Sequence, residues 1–409
     1  MTKENLTALE TAVEAFLAKE NAVTPERIRE WIAQFRTMPM FTVDDVEAEN
    51  LARRLETRHD VTMTMGSVLT ASDYKPWLES TAASLDFHYW NRYRKLLEEK
   101  RLSSQVLSTL NADTDRTLGL LEDPQKEGPW SRRGMVVGHV QSGKTANYTG
   151  LICKAADAGY RLIIVIAGVH NKLRNQTQKR IDEGFVGRDS ARLLSRREDR
   201  FVGVGRFDAR RRPVTFTNSV RDFNKSMATG VGIPLHNLNE PAVFVIKKNS
   251  NTLKNLLEWL QEHNASRGGR SVGIPMLLID DEADNASINV RYGQREVSTI
   301  NGQIRELLQM FTRSCYVGYT ATPFANIFID PDSDDEMKGQ DLFPRHFIVS
   351  LDPPSNYFGP DQVFRDDARS IVRYIDDNED LLPIKHTKDL IVTALPESLR
   401  RAGIGRAHV

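Results

Sequence analysis

Two glycines, a lysine and a hydroxyl stand at fixed spacing in Gly138-His-Val-Gln-Ser-Gly-Lys144-Thr145, which fits G-x-x-x-x-G-K-[ST] at every fixed position. That pattern suits a phosphate cradle. Glycines at the bends leave backbone N–H groups free to converge on oxygen. The lysine reaches the β/γ-phosphates, and the hydroxyl ligates Mg²⁺. The flanks agree. The apolar run 134–137 reads as a buried strand, and residues 145–158 read as a helix stopped by Gly159. The helix N-terminus adds its positive dipole end to the anion site. Gly138, Gln141, Ser142, Gly143, Lys144 and Thr145 are the expected nucleotide-binding residues, with ATP and Mg²⁺ as ligands.

A second apolar strand ends in carboxylates, Met276-Leu-Leu-Ile-Asp280-Asp281-Glu282-Ala-Asp284. A nucleotide hydrolase needs such a cluster on the strand next to its phosphate loop. One Asp holds Mg²⁺ and the following Glu polarises the attacking water. Asp281 is assigned to the metal and Glu282 to the water. Asp280 competes for the metal, being the first carboxylate after the strand. A third strand runs into Gly318-Tyr-Thr320-Ala-Thr322-Pro323. Short hydroxyls there are expected to hydrogen-bond the carboxylates and to sense γ-phosphate.

The elements that must hold these groups are legible as periodicity. From about residue 130, strands alternate with helices, the signature of an α/β fold with a parallel sheet flanked by helices. Expected strands are 134–137, 162–167, 242–246, 276–279 and 315–317, with helices at 171–184, 252–263 and 301–312. Residues 1–128 read as a helical N-terminal region. One helix opens at Thr24-Pro25-Glu26, another starts at Thr42-Val-Asp-Asp-Val, and a long amphipathic stretch covers 76–101. Residues 129–350 form the expected catalytic lobe, with 185–240 as an Arg-rich insertion. A linker and the start of a truncated C-terminal region fill 351–403.

Composition narrows the class. Formal net charge is zero, so no global basic field announces nucleic acid. Cys153 and Cys315 are the only cysteines, too few for a disulfide scaffold, and the nine histidines form no zinc motif. The longest aliphatic run, 162–167, is too short to span a bilayer, and the start carries no signal segment, so a cytoplasmic protein without membrane contact is expected.

Together the three motifs resemble helicase superfamily two. More specifically, the chain resembles the Z1-domain family of bacterial and phage-defence-associated proteins, described as candidate endonucleases. The resemblance rests on Gly138-His-Val-Gln-Ser-Gly-Lys-Thr-Ala-Asn147, Ile279-Asp-Asp-Glu-Ala-Asp-Asn-Ala-Ser287, Gly318-Tyr-Thr-Ala-Thr-Pro-Phe-Ala-Asn326 and Asp341-Leu-Phe-Pro-Arg-His346, and it spans roughly residues 128–400. It implies a RecA-like P-loop NTPase lobe and an ATP-driven engine acting on duplex DNA, or another nucleic acid, in restriction or phage defence. Defence-system partner proteins are implied as well. Lys144, Asp281 and Glu282 would be catalytic, and Thr320 and Thr322 would couple the site to nucleic acid. His170, Asn171 and Arg174 lie where the family grips the nucleic-acid backbone, and Lys247 and Lys248 form a second such strand end. Superfamily-two motors complete their ATP site with arginines of a second lobe. Only one lobe is readable here, so the chain is expected to bind nucleotide but to hydrolyse it poorly.

Pro331-Asp332 and Glu336-Met-Lys338 spell a nuclease-like motif, but they crowd into one acidic loop instead of spanning a hairpin, and the same loop lacks the glycine of a calcium site. The arginines between 192 and 212 offer phosphate contacts or a merely solvated surface. Two rivals to a motor stay open: a nucleotide-dependent switch or scaffold in a defence complex, and a small-molecule kinase on the same loop. The end, Ile404-Gly-Arg-Ala-His-Val409, looks like a translated sequencing adapter and is expected to be an artefactual tail on a longer protein.

Overall fold

The computed structural model describes residues 2–17, 25–59, 66–138, 143–192, 200–231, 235–264, 271–285, 287, 299–327, 329, 334–335, 339–352, 377 and 397–398. The chain divides into two compact units, Met1–Ser355 and Asn356–Val409. In the second, the backbone N–H of Ser398 donates to Asp377 Oδ2 at 3.1 Å.

Helices α1 (Thr2–Leu17), α2 (Pro25–Arg36) and α3 (Asp45–His59) close on a core of their own, built by Leu9, Val13, Ile28, Ile32, Leu51 and Leu55. Proline at the first position of α2 is in place because its missing N–H costs nothing there. A short strand β1 (Val68–Thr70) follows, then α4 (Leu78–Thr81), α5 (His88–Glu99) and α6 (Ser104–Leu120). The single helix expected over 76–101 is therefore broken. Ser80 and Thr81 hydroxyls donate to the Trp77 carbonyl at 2.8 and 3.0 Å, and Ser84 donates to that of Thr81 at 2.7 Å. Such local bonds compete with a continuing helical ladder.

The α/β elements come next: β2 (Trp130–Gly138), α7 (Lys144–Ala158), β3 (Leu162–Ala167), α8 (Asn171–Ile181), β4 (Val214–Thr215), α9 (Lys225–Val231), β5 (Ala242–Ile246) and α10 (Ser250–Asn264). They continue with β6 (Met276–Asp281), α11 (Thr299–Met310), β7 (Arg313–Thr320), α12 (Phe324–Ile327), an antiparallel pair β8 (Asp334–Asp335) and β9 (Gly339–Gln340), and β10 (Phe347–Leu351). Eight strands form one sheet in the order β1-β10-β2-β7-β6-β3-β5-β4. Every pair is parallel except β1 against β10. This is an α/β fold with a mostly parallel sheet flanked by helices, as expected.

The strands read as continuous apolar runs because both faces are covered. Alternate residues point to opposite faces. Val136, Ile163, Val165, Val245, Ile279 and Val317 pack with α5, α6 and α7, whereas Ile164, Ile166, Phe244, Leu278 and Tyr316 pack with α10 and α11. Helices α5 and α6, read in sequence as part of an N-terminal region, thus cover one face of the sheet. The segment 185–240 likewise supplies the edge strand β4, and its Phe216 and Phe223 pack on Phe244 with ring centroids 4.8 and 5.7 Å apart. Among the described residues no helix is long and apolar enough to cross a membrane.

One expectation about order needs correction. The carboxylate strand β6 does not neighbour the phosphate-loop strand β2, because β7 lies between them. Sequence order carries no information about lateral order in a parallel sheet, where crossovers skip strands freely. The register aligns Val137 with Thr320, Tyr319 with Asp281, and Asp281 with Ala167. The carboxyl ends of β2, β7, β6 and β3 therefore form one level row, where ligands of parallel α/β sheets bind.

Helix α5 is fixed over α7 by a carboxylate from α7 itself. Asp157 accepts the N–H groups of Tyr89 and Trp90, both at 2.9 Å, and so caps a helix whose own N-cap, Phe87, has no capping side chain. Burial nevertheless pushes the Asp157 carboxyl up to about 7 from 3.8, against those two hydrogen bonds. A folded-state value above the unfolded one means stability is fully present at low pH and is lost as pH rises toward 7. The stability difference between the wild type and Asp157→Asn, measured by urea denaturation, should shrink between about pH 4 and pH 8. A difference that stays constant across that range would show that Asp157 does not titrate as its burial dictates.

Candidate active site

Helix α7 starts immediately after Gly143, whose φ of +81° is left-handed backbone that favours glycine. The other end is closed by Gly159, also left-handed at +117°, whose N–H returns to the carbonyls of Ala155 and Ala156. Lys144 folds back and donates to the Gly138 carbonyl at 2.8 Å. Burial lowers its pKa, opposed by the charges of Asp281, Asp284 and Glu282. His139, Gln141 and Ser142 lie outside the described residues.

The carboxylate turn sits across from this lysine. The Tyr148 hydroxyl, on α7, donates to Asp281 Oδ2 at 3.3 Å. Burial raises the Asp281 carboxyl above its ordinary range, and the neighbouring charge of Glu282 adds to that. Glu282 is exposed and has φ +56°; among the described residues only Arg101 is another non-glycine with positive φ. A left-handed glutamate costs on the order of 1–2 kcal/mol and persists only where neighbours impose it. They do so here. The Ala283 N–H donates to the Tyr319 carbonyl at 3.0 Å, Asn285 N–H closes on the Glu282 carbonyl at 2.8 Å, and Asn326 Nδ2 donates to the Ala283 carbonyl at 3.1 Å. Gly318 permits this approach, since a Cβ there would lie 2.9 Å from that of Ala283.

Thr320 and Thr322 meet the same turn. The Thr320 hydroxyl donates to Asp284 Oδ1 at 2.7 Å, that of Thr322 donates to Asp284 Oδ2 at 2.5 Å, and the Thr322 N–H donates to Thr320 Oγ1 at 2.9 Å. Sequence reading assigned Asp284 no role. The clue was present, because two threonine hydroxyls one residue apart need a shared acceptor and Asp284 is the spare carboxylate of the tetrad. Tyr148 was missed too, although it lies three residues after Thr145 on the same helix.

Lys248 overturns its expected role. It is buried, 2% exposed, instead of standing ready for a nucleic-acid phosphate. Its ammonium donates to the carbonyls of Asp281, Glu282 and Asn285 at 3.0, 2.7 and 2.9 Å. Its three donors so committed, it meets Asp280 Oδ1 at 2.8 Å as a neighbouring charge. The other Asp280 oxygen accepts from Tyr316 at 2.8 Å. Asp280 is fully buried in this pair and is turned away from the metal role it competed for. Arg174 is corrected in the same way. It is 1% exposed and donates to the carbonyls of Asn218 and Arg221 at 2.7 and 3.1 Å, tying α8 to the segment before β5. His170 and Asn171 remain exposed at the start of α8, and Lys247 is half-buried. Of the arginine group, Arg206, Arg210 and Arg211 are ion-paired with Glu99, Asp208 and Asp86 at 2.7, 2.7 and 2.9 Å, and residues 193–199 lie outside the described residues. Asp332, Glu336 and Lys338 of the nuclease-like spelling also lie outside them.

A cavity of about 560 Å³ unites the remaining groups. Lys144, Thr145 and Asp281 line it, together with Tyr93 and Leu97 of α5 and Lys100 just beyond that helix. That volume lies within the range of small-molecule sites. Among the described residues no cluster of three or more His, Cys, Asp or Glu is grouped for a metal. Thr145 Oγ1 and the Asp281 carboxylate suit Mg²⁺, which takes one or two protein oxygens and completes its shell with phosphates and water. Compared with known proteins, the chain matches no family model and no curated protein.

Replacing Lys248 by Met would leave Asp280 as an unpaired buried charge and would remove one donor from each of three carbonyls of the turn. The expected loss is about 3–5 kcal/mol in urea denaturation. A loss below 1 kcal/mol would mean that the pair is not what holds the turn.

Proposed function

We propose that this chain is a P-loop ATPase lobe of RecA-like build, an ATP-driven engine acting on duplex DNA in the manner of the Z1-domain family. The observation that carries the ATPase reading is the shared cavity of Lys144, Thr145 and Asp281, with Glu282 next in the chain. Lys144 neutralises the β- and γ-phosphate oxygens, and releasing the Gly138 carbonyl frees its ammonium to do so. Thr145 and Asp281 would hold Mg²⁺, which when bound would supply further charge neutralisation. Glu282 accepts a proton from water, whose oxygen bonds to the γ-phosphorus. The bond from that phosphorus to the β,γ-bridging oxygen breaks, giving ADP and phosphate.

The coupling reading rests on Asp284. Thr320 and Thr322 hold both of its oxygens, two residues beyond Glu282. Any shift of the carboxylate turn on phosphate release is passed to the loop from 320 to 323. The nucleic-acid reading rests on the resemblance and on His170 and Asn171, exposed beyond the carboxyl end of β3. A second reading, a nucleotide-dependent switch or scaffold, gains from the burial of Arg174 and Lys248, which removes two contacts a motor would use.

Steady-state hydrolysis by the chain, alone and with duplex DNA, separates the two. A motor lobe shows slow hydrolysis that rises with DNA. Glu282→Gln should lower it at least ~10²-fold while nucleotide binding is kept. Hydrolysis indifferent to DNA moves the assignment to the switch. No binding of ATP at all would sink both.

A further inference from the structure

Arg180 lies at the end of α8, exposed, and its side chain lines the cavity together with Lys144, Thr145 and Asp281. Its Nη1 donates to Thr145 Oγ1 at 2.8 Å. Among the described residues no carboxylate is ion-paired with it. Glu183, which also lines the cavity, is taken by Lys100 at 2.9 Å. A guanidinium resting on a neutral hydroxyl keeps its full charge available for an anion, and its planar fork matches phosphate oxygens two at a time. Its charge already reaches Tyr93 of the cavity wall and the neighbouring Tyr148, where it partly offsets the effect of burial on their hydroxyls.

The hydroxyl it rests on is the one a divalent cation would claim. Two cations do not share one oxygen comfortably, so occupation of Thr145 Oγ1 would free the arginine next to the phosphate chain. The position of α8 supports this. Its last turn continues into a single π turn, Asp182–Val186, packed against α5 and α7, which holds the base of the Arg180 side chain beside the cavity. Helix α8 belongs to the same lobe as the phosphate loop, so this cation requires no second lobe.

We propose that Arg180 is a phosphate-binding residue supplied from within this lobe, which leaves Thr145 and engages the γ-phosphate oxygens of a bound nucleoside triphosphate. The proposal rests on the nucleotide reading of the cavity, and the test keeps the two apart. Affinities for ATP and ADP in the presence of Mg²⁺ are measured by titration calorimetry for the wild type, Arg180→Ala, Arg180→Lys and Lys144→Ala. A charged hydrogen bond to the terminal phosphate predicts that Arg180→Ala weakens ATP binding about tenfold or more and ADP binding much less. Arg180→Lys restores part of the loss, because it returns the charge without the fork. Unchanged ATP affinity in Arg180→Ala overturns the proposal, and an equal loss for ATP and ADP overturns the assignment to the γ-phosphate. Lys144→Ala reports on the underlying site. Loss of both nucleotides there supports the site itself, whereas undiminished binding overturns the nucleotide reading independently of Arg180.

Discussion

The ammonium of Lys248 is enclosed by oxygen, and the carboxylate turn is shaped around it. Removing a lysine and an aspartate from water costs several kcal/mol per ion, so such a pair survives only with close geometry and satisfied donors. Here the geometry is close: three carbonyls of the turn and one carboxylate of β6 surround the same Nζ. The lysine comes from the end of β5, two strands away from β6. It gathers the carbonyls of Asp281, Glu282 and Asn285 inward, while the Asp281 side chain lines the cavity. The left-handed backbone at Glu282 is the cost of that curl, and the Lys248 bond to its carbonyl is part of what sustains it.

A second constraint comes from the helices ahead of the phosphate loop. Asp157 caps α5, and Lys154, fully buried, donates to Asn111 and Asp115 of α6 while lying 4.3 Å from the Trp90 ring centroid. Two polar groups of α7 thereby tie α5 and α6 to it over one sheet face, within the apolar core they share. Such networks are strong when fully satisfied, because the low dielectric that penalises an unpaired group also strengthens a paired one. The consequence for chemistry is direct. The same α7 that starts at the phosphate loop sets the position of the α5 side chains that wall the cavity.

Strand order completes the arrangement. With β7 between β2 and β6, Thr320 emerges between the lysine side and the carboxylate side of the site. Its hydroxyl and that of Thr322 close on Asp284, while Tyr148 reaches Asp281 from α7. Three backbone elements thus converge on one turn through side-chain hydrogen bonds. A turn so tied has few ways to move, and any movement involves the loop after β7.

The sequence by itself determined the element types and the local chemistry. Strands β3 and β5 are legible to the residue, because an apolar run bounded by polar residues and glycine has few other uses in a charged chain. The phosphate-loop lysine and hydroxyl, the Asp281-Glu282 pair and the two threonines are legible because their spacing is local. Strands β1 and β4 were not, since two or three residues give no period to read. Nor was the fate of Lys248, Arg174 and Asp280. A charged residue at a strand end reads as surface, and only the packing of distant segments shows that its partners are buried with it. Lateral strand order, the cap that Asp157 lends to α5, and the meeting of Arg180 with Thr145 belong to the same group. Each is a contact between residues far apart in the chain, and such contacts are decided by how the sheet closes and not by any local preference.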